Sequence, residues 1–328
     1  MKKEGKEVVK ENYDLIIIGA GGTGLAAGMY ASRLGLKTLV LGTPHGSELP
    51  IGGVITTTNV VENYPGFKKI GGMELARKIE EHARNYEDIT IKTEKAESVE
   101  KMKTCFNIKT EKEGYKSKAI IFATGTKWRK LPKTVKGSEK FDRRGINYCA
   151  LCDGPLYRGK TVAVIGGSDS AAIDALILAQ YADKVYMIYR GEKIHPEPTN
   201  LEKIKENKKI KVINKTNVIE VKGSSKAESV TLDKPYKKKK ELEVNAVFVA
   251  IGHKVLSGLA KDIGVKTNKK DEIIIDHKNC LTNVKGIFAA GDVTDKEFKQ
   301  LIIGVADGCT AAYSAYQYIT KEKIETCD

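Results

Sequence analysis

Cysteine is sparse in this 328-residue chain, with six residues at 105, 149, 152, 280, 309 and 327. That is too few for a fold stapled together by disulfides. Proline is sparse too, at 8 residues, and 41% hydrophobic with 30% charged residues excludes a disordered or fibrous chain. Glutamine occurs only at 180, 300 and 317, a scarcity common in thermophile proteins. The opening residues, MKKEGKEVVKEN, contain no apolar run of signal-peptide type, so a cytoplasmic protein with reduced resting thiols is expected. Residues 15–32 carry no charge and approach a membrane span in length, but glycines at 19, 21, 22, 24 and 28 suit a turn better than a lipid-facing helix. No membrane association is expected. No basic stretch alternates with stacking aromatics, so the formal net charge of +14 reads as a lysine-rich solvated surface, or as a face for an acidic protein, rather than as a nucleic-acid site.

What is present is one plan used twice. YDLIIIGAGGTG reads as a buried strand and glycine turn, LAAGMYASRLG as a helix, KTLVLG as a second strand. IKTEKAESVEK, CFNIKTEKEG and YKSKAIIFATG follow as a β-meander ending in a buried strand. The second copy runs KTVAVIGGSDSA, AIDALILAQYA, KVYMIYRG, then hairpins through AESVTLD to ELEVNAVFVAIG, with Lys237 to Lys240 at a hairpin tip. The expected fold is α/β, with two Rossmann-like three-layer dinucleotide units, each carrying a three-stranded meander. The piece from about residue 254 holds GIFAAGDV and a helix over about 299–319, too little to fold alone, and is expected to complete the first unit.

Gly19-Ala20-Gly21-Gly22-Thr23-Gly24 fits G-x-G-x-x-G between a strand and a helix. Gly19 permits the tight turn, Gly21 lets a pyrophosphate approach the backbone, and Gly24 allows helix and strand to pack. The acidic residue expected at the end of the second strand is missing; Gly42 stands there, and ribose recognition is assigned to the TPHGSELPIGG loop with Glu48. Gly166-Gly167-Ser168-Asp169-Ser170-Ala171 is a weaker copy, in which Ser168 either crowds a phosphate or donates a hydrogen bond to it. In FAAGDV, Asp292 follows a buried strand, where a carboxylate can accept from a polyol chain or cap a helix. The helix beyond it would aim its positive end at a bound ring. Cys149 and Cys152 form the one C-x-x-C. A zinc site needs four nitrogen or sulfur ligands, and neither a second such pair nor a nearby histidine exists among residues 45, 82, 195, 253 and 277. A redox pair is the expectation, with a structural disulfide as the alternative. Asp153 then moves a proton or serves as a turn residue.

These stretches, together with TTTNVVENYPGF, ATGTKWRKL, YCALCDGPLYRGKTVAVIGG and KQLIIGVADGCTAA, resemble the low-molecular-weight thioredoxin reductases over residues 13–320. The resemblance implies FAD in a discontinuous domain of residues 1–127 and 254–328, and an NAD(P)-type domain of residues 128–253 carrying the cysteine pair. It implies a homodimer whose middle domain rotates between two orientations. Cys152 would face the flavin, Cys149 would exchange with a protein disulfide, and Asp153 would be the acid–base residue. Gly19, Ala20, Gly21, Thr23, Gly24, Gly42, Gly53, Asn63, Ala123, Thr124, Gly125, Gly291, Asp292, Lys299 and Gln300 fall on flavin-binding positions, with Lys299 where the family usually has Arg.

The departures cluster. Val54 replaces a Gln that contacts the flavin. At the second nucleotide site (Gly166, Ser168, Asp169, Ser170, Arg190), Ser168 replaces Gly, and YRGEKIHPEP keeps only Arg190 of an arginine-rich run, with Gly191 and His195 at other positions of it. A 2′-phosphate needs clustered cations. NADPH is therefore not the expected donor; NADH, ferredoxin and a reduced deazaflavin are the alternatives. The expected acceptor is a thioredoxin or glutaredoxin-like protein. A dithiol oxidase making peroxide and a non-catalytic flavin redox sensor are the competing readings. Cys105, in a strand pattern, and Cys309, on the small-residue face of the last helix, are expected to be buried, Cys280 to sit in a turn, and Cys327 to lack a partner nearby.

Overall fold

The structure is a computed structural model that describes residues 9–44, 50–57, 61, 63–324 and 327, without the side chains of 9, 10, 57, 151 and 152. Among these residues the helices are α1 (Gly22–Arg33), α2 (Gly72–Arg84), α3 (Ala150–Asp153), α4 (Asp169–Tyr181), α5 (Pro198–Glu206), α6 (Gly258–Asp262) and α7 (Leu301–Glu322). None is long and apolar enough to cross a membrane. The uncharged stretch at 15–32 divides at the glycine turn into strand Val9–Ile18 and α1. The chain forms two compact units, Met1–Lys127 with Val255–Asp328, and Trp128–Lys254.

The first unit is built on a sheet whose spatial order is Ile89–Thr93, Thr38–Gly42, Val9–Ile18, Gly114–Phe122, Phe106–Thr110, Ala96–Lys101. The first four strands run parallel and the last two antiparallel. Ile287–Ala289 also pairs, in parallel, with Gly114–Phe122, so the late segment joins the first unit. Leu15, Ile16, Ile17, Leu39, Val40, Ile120 and Ile121 are buried, the near-continuous apolar pattern of a sheet covered on both faces. α1 and α7 pack closely because Gly308 leaves no Cβ to strike the Thr23 carbonyl oxygen.

The second unit has an all-parallel sheet in the order Ile210–Ile213, Lys184–Ile188, Thr161–Ile165, Ala246–Val249, Ile146–Asn147. The two meanders differ. In the first unit the meander continues the main sheet through Gly114–Phe122; in the second, Val218–Lys222, Ser229–Tyr236 and Lys239–Glu243 form a separate sheet. Lys237 and Lys238, both at positive φ, make the turn between the last two strands.

One expectation is corrected here. Cys327 does have a partner: it is disulfide-bonded to Cys105, at a sequence separation of 222 and a Cα–Cα distance of 5.5 Å. α7 ends at Lys323 in a left-handed conformation, and the Lys116 ammonium donates to the Cys327 carbonyl at 3.1 Å, drawing the segment back onto the sheet beside Cys105. Cys280 and Cys309 are free thiols.

Candidate active site

A cavity of about 800 Å³ lies within the first unit at the carboxyl ends of its parallel strands. Gly19, Ala20, Gly21, Thr23, Gly42, Gly53, Ala123, Thr124, Gly125, Asp292, Lys299 and Gln300 line it. Gly24 and Gly291 stand behind the wall. A Cβ on Gly24 would fall on the Gly19 carbonyl oxygen, and one on Gly291 would come within 2.6 Å of Thr23 Oγ1. Gly19 itself has φ of 115°, which L side chains rarely adopt, and a Cβ there would lie 2.3 Å from the Ala123 carbonyl oxygen. Asn63 reaches the group through Gln300, donating Nδ2–H to Oε1 at 3.0 Å.

Two helix N-termini face this cavity. α1 begins at Gly21 and α7 at Gln300; neither has a side-chain cap or an acidic residue in its first turn. Their leading N–H groups are therefore available to anionic or electron-rich oxygen atoms. Lys299 does not offer a free charge. Its ammonium donates to Glu272 Oε1 at 2.5 Å, to the Asp292 carbonyl at 3.0 Å and to the Thr294 carbonyl at 2.9 Å, pinning the Asp292 loop. Burial opposes ionisation of Glu272, but hydrogen bonds from Lys299 and Asn268 outweigh it and hold the carboxyl below its usual range.

In the second unit, strand Ile146–Asn147 leads into α3, which continues as a 3₁₀ turn over Gly154–Tyr157. The Asp153 N–H donates to the Cys149 carbonyl at 3.1 Å, so the backbone from 149 to 153 closes one helical turn that contains positions 149 and 152. Cys149 is disulfide-bonded and partly exposed. Burial pushes the Asp153 carboxyl up, partly offset by the positive charge of Arg143. The Arg143 guanidinium also lies 5.3 Å from the centroid of the Tyr148 ring.

The chain matches the pyridine nucleotide-disulphide oxidoreductase family over residues 13–309. It belongs to that family. Thioredoxin reductase of Treponema pallidum is 36% identical over 95% of this chain and 98% of its own. A 34.2 kDa protein of the Clostridium pasteurianum rubredoxin operon is 39% identical over 94% and 98%. The crystal structure of Lactococcus lactis thioredoxin reductase superposes with a TM-score of 0.85 at 33% identity, over 94% of this chain and 99% of that one. A ferredoxin-flavin thioredoxin reductase of Clostridium acetobutylicum gives 0.50 at 32% identity, over 95% and 99%.

The oxidoreductase is thus a thioredoxin reductase-like flavoprotein whose cofactor is FAD. The donor set of the cavity fits that cofactor: a cradle of glycines and an uncapped helix N-terminus suit a pyrophosphate, and the second uncapped terminus suits the pyrimidine edge of a flavin. Glu48 lies outside the described residues. Gly42 is required where an acid was sought, because a Cβ there would lie 2.5 Å from that of Ala20. Glu97 and Asp262 line the cavity with no protein donor upon them among the described residues, whereas Glu94 already accepts from Thr110 and Tyr115. Sequence reasoning missed Glu97, Asp262 and Arg143, which lie in strand Ala96–Lys101, at the end of α6 and in a turn; no local periodicity encodes where these elements meet the cavity or the cysteine turn. Substitution Gly24→Ala is expected to yield protein without bound flavin, read as loss of the yellow absorbance at equal protein concentration. A full flavin complement in that variant would contradict the close packing of α1 on the turn.

The second glycine turn is covered by its own chain. The ring of Tyr189 fills the space where Cβ atoms on Gly167 and Gly191 would be. The His195 N–H donates to the Gly167 carbonyl at 2.8 Å, and the His195 ring lies 5.4 Å from that of Tyr189. Asp169 Oδ1 accepts from the Glu197 N–H and from Asn200 Nδ2, both at 2.9 Å, which ties the segment before α5 to the start of α4. Gly166 makes its turn at φ of 152°, Ser168 is the uncapped N-cap of α4, and Ser170 and Arg190 are exposed.

Proposed function

We propose that this enzyme reduces the disulfide of a thioredoxin- or glutaredoxin-like protein through a Cys149–Cys152 pair, with electrons from a donor other than NAD(P)H. The unit Met1–Lys127 with Val255–Asp328 is the FAD domain, the unit Trp128–Lys254 carries the pair, and two copies form a cytoplasmic homodimer. The observation that carries the reading is the helical turn that contains positions 149 and 152 beside a carboxyl raised by burial. FAD, when bound, passes an electron pair from the donor to the disulfide. The chain's residues do the rest. The Cys149 thiolate attacks a sulfur of the partner's disulfide, forming a mixed disulfide and releasing one partner thiolate, which takes a proton. Cys152 then attacks Cys149, closing the intramolecular disulfide and releasing the second partner thiolate. Asp153, neutral more readily than an exposed Asp, supplies the proton one leaving thiolate needs and regains one when the pair is next reduced.

The donor reading rests on the covered second turn. A pyrophosphate laid on Gly167 and Ser168 meets the Tyr189 ring and the segment latched by Asp169, and only Arg190 remains for a 2′-phosphate. The net charge of +14 suits an acidic electron carrier such as ferredoxin, and a ferredoxin-flavin enzyme is among the structural relatives. Anaerobic reduction of the purified yellow protein tests it. Reduced ferredoxin or reduced deazaflavin is expected to bleach the flavin, and NADPH or NADH to do so at least about 100-fold more slowly. Rapid bleaching by NADPH would sink the donor assignment and leave the disulfide chemistry standing.

A further inference from the structure

Asp174 lies midway along α4, on the same face as Leu178 and Tyr181, four and seven residues on. That face meets the redox segment. A Cβ on Gly154 would lie 3.5 Å from Leu178 Cδ2 and 3.3 Å from Tyr181 Cδ2, and the Gly159 N–H donates to the Tyr181 carbonyl at 3.1 Å. The segment and α4 therefore run in the same direction, and going back from Gly154 through α3 leads back along α4 toward Asp174. Ala150 is buried in the same apolar cluster as Ala171, Ala175 and Leu178, and α3 packs on α4. No hydrogen bond or ion pair reaches the Asp174 carboxylate among the described residues, and the residue is partly exposed. A carboxyl with no partner among the described residues, on the helix face that carries the cysteine turn, has no evident part in holding the fold.

We propose that Asp174 is a positioning residue for the Cys149–Cys152 pair, acting through its charge on the ease with which the dithiol ionises. Burial in these apolar surroundings pushes its carboxyl up to about 7. Below that pH the group is neutral and leaves the thiolate undisturbed; above it the group is negative and opposes thiolate formation in a half-dry site. The other charged groups about it are Asp153 on the redox segment, with Arg143 beside it, and Arg158 over the Tyr181 ring. Asp169 begins α4, Asp183 follows it, and Lys209 donates to the Ala179 and Ala182 carbonyls at its far end. On α5 the buried side chain is Ile204, which is apolar. None of these is paired to Asp174, so its proton is free to follow the redox state of the pair.

The inference rests on Cys149–Cys152 being the redox pair but not on any donor or acceptor, and its test uses neither. Holoenzyme is reduced chemically, and iodoacetamide trapping of the peptide holding both cysteines is followed by mass spectrometry from pH 5 to 9. A sulfur–carbon bond forms from thiolate and iodide leaves. Substitution Asp174→Asn is expected to move the midpoint of trapping to lower pH by about one unit and to sharpen it to a single step. Asp174→Glu is expected to retain the wild-type profile. If the asparagine variant loses its flavin, Asp174→Thr, also neutral, takes its place. A neutral, flavin-replete variant whose profile superimposes on wild type would overturn the proposal. Failure of the pair assignment itself shows separately, as no reduction-dependent trapping of that peptide in wild type.

Discussion

Substitution Cys152→Ser is expected to abolish turnover with a protein disulfide while leaving the protein yellow. The loss should exceed about 10³-fold in kcat, because removing one sulfur eliminates both the intramolecular disulfide that accepts electrons and the thiol that resolves the mixed disulfide. Flavin content should not change, since the FAD cavity lies wholly within the first unit and the cysteine turn within the second. The variant should also trap its partner: Cys149 alone still attacks, and the mixed disulfide cannot be resolved. A covalent adduct with thioredoxin, visible on a non-reducing gel and dissolved by dithiothreitol, is the specific signature. Turnover retained in Cys152→Ser would refute the pair, and the competing readings then separate cleanly. Peroxide formed from a small dithiol would point to an oxidase, and absence of all turnover in wild type would point to a sensor.

Much of this was legible in the sequence where the physics is local. The turn at Gly19–Gly24 could be read because a tight strand-to-helix connection requires glycine at fixed spacing, and the structure adds only which carbonyls would be struck. The tip at Lys237 and Lys238 followed from two flanking strand patterns. What escaped the sequence is long-range. Gly114–Phe122 is one strand that serves both the first meander and its parallel sheet, whereas in the second unit Lys239–Glu243 ends before Ala246–Val249 begins and the meander stands apart. The loss of arginines after the second strand was visible; that Tyr189 lies on Gly167 and that Asp169 holds down the segment beyond it was not. Glu97 and Asp262 reach the cavity from segments 165 positions apart, so no window of sequence contains both.

The pairing of Cys105 with Cys327 is the sharpest case, and it carries the second large expected effect. Cys327→Ser should lower the temperature at which flavin is released by on the order of 10 °C. The reason is topological. The first unit is made of two chain segments with residues 128–254 inserted between them, and this bond ties the late segment to the early one across a separation of 222 residues. Closing a loop of that length removes about 3–5 kcal/mol of denatured-state freedom. In the cytoplasmic setting proposed above a disulfide is unexpected, with intracellular proteins of hyperthermophiles as the exception, and the scarcity of glutamine suits that exception. The sulfurs are shielded as well: Cys105 is 1% exposed and Cys327 5%. Mild reduction of the native protein should therefore release the thiols of the 149–152 peptide first, and those of Cys105 and Cys327 only on unfolding. Cys309→Ser, at a free thiol of α7, is the matched control and should leave the transition in place. An unchanged midpoint in Cys327→Ser would mean that packing of α7 on α1 alone holds the two segments together, and that the bond constrains a part of the chain already ordered when the flavin leaves.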